Sequence, residues 1–115
     1  MGTKKISHEL KSFILHAKKH LPVKQIMLYG SYAKGTAHND SDIDLVVVMK
    51  QKMVGKIYLD ITDEANKIAT KVKSPIPFHV YGVTQEEYIS AKPWSLLGEV
   101  KKEGIEVYNA NSPRA

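Results

Sequence analysis

The amino-acid sequence predicts a small α/β (α+β) domain: a mixed β-sheet of three core strands plus a short C-terminal strand, flanked by helices. Three observations carry this. Helix-period apolar patterns alternate with short apolar runs of strand length, a turn-rich stretch separates the first two runs, and a long helical pattern separates the second from the third. A turn joins neighbouring strands antiparallel, whereas a crossover helix returns the chain parallel and right-handed.

Taken in order, Ile6, Leu10, Phe13, Ile14, Ala17 and Leu21 recur at helical spacing between lysines and histidines, predicting an amphipathic helix over residues 5–20. Pro22 ends it. Gln25 to Tyr29 reads as a buried strand, and the stretch from Gly35 to Ser41 as the reversal into a second strand from Asp42 to Met49. Gln51 to Lys56 is expected as a loop. A long helix is expected over Ile57, Leu59, Ile61, Ala65, Ile68, Ala69 and Val72, stopped by Ser74-Pro75-Ile76-Pro77. Phe78 to Val83 is the third strand, parallel to the second. Thr84 with Glu87 forms a capping box for a helix to Ala91, a further helix covers Trp94 to Lys102, and a strand over Ile105 to Tyr108 closes the fold. Residues 1–108 are expected as one domain and 109–115 as a loose tail.

At 115 residues and 43% hydrophobic, the chain suits one core, with no room for a separate substrate domain. Cysteine is absent, which excludes disulfides and thiolate metal sites. The longest apolar run, Leu45 to Met49, is far below a membrane span, and no signal-peptide core follows the N-terminal lysines, so a soluble, cytoplasmic protein is expected. The net charge of +5 is compatible with nucleic acid, an acidic protein or mere solubility. Since no stripe of interleaved aromatic and basic residues stands out, nucleic acid is not indicated.

Chemistry concentrates in Gly30-Ser31, a ten-residue spacer, and Asp42-Ile43-Asp44. Residues two apart on a strand share a face, so Asp42 and Asp44 hold two carboxylates side by side. Such a pair repels when ionised and calls for a hard cation such as Mg²⁺, which leaves positions for phosphate oxygens. Gly30 permits a tight turn and close approach of a ligand. Ser31 then opens a short helical turn whose free N–H groups favour anions. The antiparallel return brings this turn near the carboxylates, so phosphate at one end and metal at the other describe a nucleoside triphosphate site.

This block resembles the signature of the polymerase-beta-like nucleotidyltransferase superfamily, and the chain is most similar to its small single-domain, antitoxin-like members, often called minimal nucleotidyltransferases. Val83-Thr84-Gln85-Glu86-Glu87-Tyr88 and Glu103-Gly104-Ile105-Glu106-Val107-Tyr108 extend the similarity over residues 24–108. The resemblance implies the nucleotidyltransferase fold and transfer of a nucleoside monophosphate, AMP from ATP, to a hydroxyl acceptor. Asp42 and Asp44 would hold Mg²⁺ or Mn²⁺, and Gly30 and Ser31 would bind the phosphates. Lys34 stands where relatives often carry a basic residue near the phosphates, though a lysine in an exposed turn can be merely solvated. It also implies a helical partner protein of toxin type, modified on a tyrosine. A nucleic-acid or small-molecule acceptor remains an alternative.

The pattern departs at one point. Active relatives carry a third carboxylate early in the strand after the crossover helix, and the matching position here is His79. Its imidazole can be a strand histidine satisfied by a neighbour, a replacement base, or a transition-metal ligand. Asp60, Asp63, Glu86 and Glu87 do not fall at the required spot. The competing function is therefore a catalytically degenerate module that binds nucleotide or masks a partner. A nucleotide-sugar transferase would leave Gly30-Ser31 without a role. His8, His16, His20 and His38 read as surface, and Trp94 and Tyr88 as core or interface aromatics.

Overall fold

The computed structural model describes residues 6–38, 40–50 and 58–111. Among these described residues nine elements follow in chain order: α1 (Ser7–His20), β1 (Val23–Tyr29), α2 (Gly30–Lys34), β2 (Ile43–Met49), α3 (Tyr58–Thr70), β3 (Phe78–Thr84), α4 (Gln85–Ile89), α5 (Leu96–Glu103) and β4 (Ile105–Asn109). The strands form one sheet in the order β3-β2-β1-β4. β1 is antiparallel to both β2 and β4, and β2 is parallel to β3, as the turn and the crossover helix dictate. The expected loop over 51–56 and Ile57 lie outside the described residues, and described side chains in α3 begin at Ile61.

The central strand β2 is buried on both faces, which is why its sequence is a continuous apolar run and not an alternating one. Ile43, Leu45, Val47 and Met49 join Ile26, Leu28 and Val80 in a core covered by α1 (Leu10, Phe13, Ala17) and α3 (Ile61, Ala65, Ile68). The rings of Phe13 and Phe78 stack there with centroids 5.3 Å apart. Val46 and Val48 face the other way. With Met27 and Val83 they meet Tyr88 of α4 and Val100 of α5 in a smaller cluster.

The outer edge of β3 is closed by side chains of α3. Asn66 donates to the Val80 carbonyl at 2.8 Å, while Thr62 accepts from the Gly82 amide at 3.2 Å. A Cβ on Gly82 would sit 2.5 Å from the Ile61 carbonyl oxygen, so glycine is what lets helix and strand approach this closely. The expected capping box is present: Thr84 accepts from the Glu87 amide at 3.0 Å and the Glu87 carboxylate accepts from the Thr84 amide at 2.9 Å.

Two details sharpen the expectations. Pairing runs past the presumed start of the tail: Asn109 belongs to β4 and the Ala110 amide donates to the Lys24 carbonyl at 2.9 Å. Of the two readings given to the aromatics, Trp94 at 83% exposed keeps only the interface one, whereas Tyr88 is buried in the core. Trp94 stands on a connector tied by Ser95, whose amide and hydroxyl both reach the Lys92 carbonyl. No helix among the described residues is long and apolar enough to cross a membrane.

Candidate active site

Tyr29, Asp44 and His79 occupy one lateral row across three strands, since Tyr29 pairs with Asp44 and Asp44 with His79. Residues directly opposite share a face, so the three side chains rise on the side of the sheet covered farther along by α4 and α5. That row lies where β1 ends and β2 and β3 begin, at the margin of the smaller apolar cluster, against which Tyr29 packs.

The chain leaves β1 through Gly30, whose φ is +74°, a left-handed conformation that a side chain resists. A side chain here would also displace the Asp44 carboxylate, into which its Cβ would run. The glycine of Gly30-Ser31 and the second aspartate of Asp42-Ile43-Asp44 are thus in direct apposition. Ser31 follows in α2, a single turn closed by Gly35 at φ 77°.

Asp44 is about three-quarters shielded from solvent, and its Oδ1 lies 3.3 Å from Nδ1 of His79. Burial pushes the Asp44 carboxyl above the usual range; the hydrogen bond and charge interaction with His79 pull it down, and the neighbouring Asp42 carboxylate pushes it up. Asp42 is exposed at the entry to β2. The His79 ring also leans on Tyr81, centroids 5.1 Å apart. Whichever of its three roles His79 takes, its neighbour is the carboxylate beside Gly30.

The structure therefore brings Gly30, Asp44 and His79 together; Asp42, expected as the first residue of the strand, precedes β2 and lies near enough for its charge to act on Asp44. Lys34 is turned elsewhere. Its Nζ lies 3.8 Å from both Glu99 and Glu103 of α5, where all three side chains are exposed. Tyr29, Gly30, Lys34, Leu96, Glu99 and Glu103 border a cleft of about 60 Å³ between α2 and α5. Glu99 and Glu103 are site-flanking residues that the sequence reading missed. One turn apart on a helix, they look like ordinary surface glutamates until the fold packs α5 beside α2. Of the substitute carboxylates considered, Asp63 pairs with Lys67 at 3.6 Å and Glu87 is committed to its capping box.

Among the described residues no group of three or more His, Cys, Asp and Glu is arranged to hold a metal ion. Asp42 and Asp44 nevertheless fit a divalent cation that completes its shell elsewhere: their charges oppose one another, and an ion of this kind binds through one or two carboxylates plus phosphate and water oxygens.

The family described as "Polymerase beta, Nucleotidyltransferase" matches residues 11–113. The chain belongs to that family. Membership makes its function one of nucleotidyltransferase type. Among solved structures, one similar to this nucleotidyltransferase domain is a candidate nucleotidyltransferase from Sulfolobus solfataricus, with a TM-score of 0.66 at 15% identity over 95% of this chain and 85% of that one. A toxin–antitoxin complex with AMP-PNP superposes with a TM-score of 0.59 at 21% identity, over 88% of this chain and 73% of that one. A variant of the toxin–antitoxin pair MntA–HpeT, with two aspartates two positions apart changed to glutamate, gives 0.57 at 18% identity over the same shares. At such identities the likeness is one of fold. No curated protein matches the chain.

Proposed function

We propose that this nucleotidyltransferase domain transfers a nucleoside monophosphate, AMP from ATP, to a hydroxyl acceptor on a partner protein of toxin type. The observation that carries the reading is the apposition of the Asp44 carboxylate and Gly30, which joins the carboxylate pair to the turn expected to meet the phosphates. Two relatives of the same fold are toxin–antitoxin complexes, one of them with AMP-PNP. The two altered aspartates in the other have the spacing of Asp42 and Asp44.

In this reading Asp42 and Asp44 hold a divalent cation, which when bound neutralises the triphosphate and polarises its phosphorus centre. Gly30 and Ser31 orient the outer phosphates through the backbone, the missing Cβ permitting close approach. The acceptor oxygen then attacks the α-phosphorus in line, a P–O bond to the acceptor forms as the bond to pyrophosphate breaks, and the hydroxyl proton leaves to a base. Catalysis of this kind is chiefly positioning and charge compensation.

His79 at the expected third-carboxylate position favours a second reading, a degenerate module that binds nucleotide or masks its partner without transfer. Calorimetric titration of ATP with Mg²⁺ or Mn²⁺ into the protein and its Asp44→Asn variant tests the site; pyrophosphate release on adding the partner separates the two readings. Metal-dependent binding lost in the variant, with pyrophosphate release, supports transfer. Binding without release favours the masking module, and absence of binding under both metals defeats the nucleotide site.

A further inference from the structure

The parallel register of β2 and β3 sets His79 directly across from Asp44, with Nδ1 and Oδ1 3.3 Å apart. That separation is within hydrogen-bond reach, though longer than the charge-assisted optimum of about 2.7–2.9 Å. It is also compatible with two donor atoms on one first-row ion, because bonds of about 2.0–2.2 Å put adjacent donors about 2.8–3.6 Å apart between octahedral and tetrahedral angles. The imidazole is 55% exposed, so a ligand can reach it. Tyr81 supports the ring from the side.

Donor chemistry then decides which ion. Magnesium demands oxygen and octahedral geometry, and a site with histidine in place of a third carboxylate has both less negative charge and one nitrogen donor. We propose that Asp44 and His79 together ligate a borderline first-row dication such as Mn²⁺, with the imidazole as an inner ligand, so that this site selects a transition metal over Mg²⁺. The inference deepens the nucleotide reading and rests on it, since two side chains do not complete a shell: water and phosphate oxygens supply the remaining donors, and Asp42, which is not grouped with this pair, contributes charge.

The test uses the full chain with Mn²⁺ alone and with Mn²⁺ plus AMP-PNP, read by pulsed electron paramagnetic resonance for coupling to a ligated nitrogen, and by Mg²⁺ competition. His79→Asp restores a carboxylate and His79→Gln removes the imidazole; circular dichroism checks that both fold, as expected for an exposed position. The wild-type chain should show nitrogen coupling that both variants lose. In His79→Asp, Mn²⁺ should stay bound while the Mn²⁺-to-Mg²⁺ affinity ratio falls by about tenfold or more. Bound Mn²⁺ without nitrogen coupling, coupling that persists in both variants, or an unchanged ratio in His79→Asp overturns the inference. Two failures separate cleanly: AMP-PNP held equally by either metal without nitrogen coupling keeps the nucleotide site and removes the histidine ligand, whereas His79-dependent coupling with Mn²⁺ and no AMP-PNP binding keeps the ligand and removes the nucleotide site.

Discussion

At the scale of single residues, Gly30 is constrained twice, by φ +74° and by the Asp44 carboxylate lying where a Cβ would go. Gly30→Ala should therefore destabilise the fold by about 1–3 kcal/mol, and the displaced Asp44 should weaken metal-dependent nucleotide binding as well. Denaturant unfolding and calorimetry on the same variant check both; an Ala variant of wild-type stability would mean the backbone relaxes at no cost. Asp44 illustrates a tension between stability and site. Its carboxyl is pushed up chiefly by burial, so its contribution to stability is full below the unfolded carboxylate range and lost as pH rises through the folded value. Without metal, Asp44→Asn should be at least as stable as wild type at neutral pH and should flatten that loss, while abolishing cation binding. Unfolding curves across the acid-to-neutral range with and without Mg²⁺ read this out, and a strongly destabilised Asn variant would count against it.

At the scale of elements, α3 matters less for its apolar face alone than for closing the edge of β3. Asn66 is half-buried and bonds the Val80 carbonyl, so Asn66→Ala leaves that acceptor unpaired at a cost of about 1–3 kcal/mol. The better helix propensity of alanine returns about 0.5 kcal/mol, so a net loss should appear in urea unfolding; an unchanged midpoint would show that water serves the carbonyl equally well. This edge also shows what the sequence reveals and what it hides. The apolar periodicities of α1, α3 and the strands, the antiparallel turn and the parallel crossover were all legible, because each is a local pattern with one topological consequence. The capping of β3 by Thr62 and Asn66 was not, since polar residues on a helix look solvated until the strand beside them is known. Lys34 is hidden for the same reason: its position in the motif suggested phosphate, and only the packing of α5 supplies Glu99 and Glu103 as its neighbours. Asp44 and His79 were legible as neighbours once the third strand was expected parallel to the second; that they stand directly opposite one another required the register of β2 on β3.

At the scale of the whole molecule, the sheet divides two unequal halves. One face carries the larger core under α1 and α3. The other, which bears the candidate site, is covered by the five-residue α4 and the eight-residue α5 over the smaller cluster. Between α2 and α5 the described links are a cleft and two exposed ion pairs from Lys34, each worth about 0–1 kcal/mol. Local opening should follow the lesser burial, so amides of residues 96–103 should exchange with solvent faster than those of β2. A nucleotide held beside Gly30 borders the same cleft, and any opening that disrupts the site must first release it. At a hundredfold excess over its Kd, a ligand raises the free energy of such an opening by about 2.7 kcal/mol. Hydrogen exchange with AMP-PNP and a divalent cation should therefore slow residues 30–34 and 96–103 together, leaving α1 unchanged. Slowing confined to 30–34 would mean that α5 borders the cleft without sensing its occupant, and slowing at neither would place the nucleotide away from Gly30.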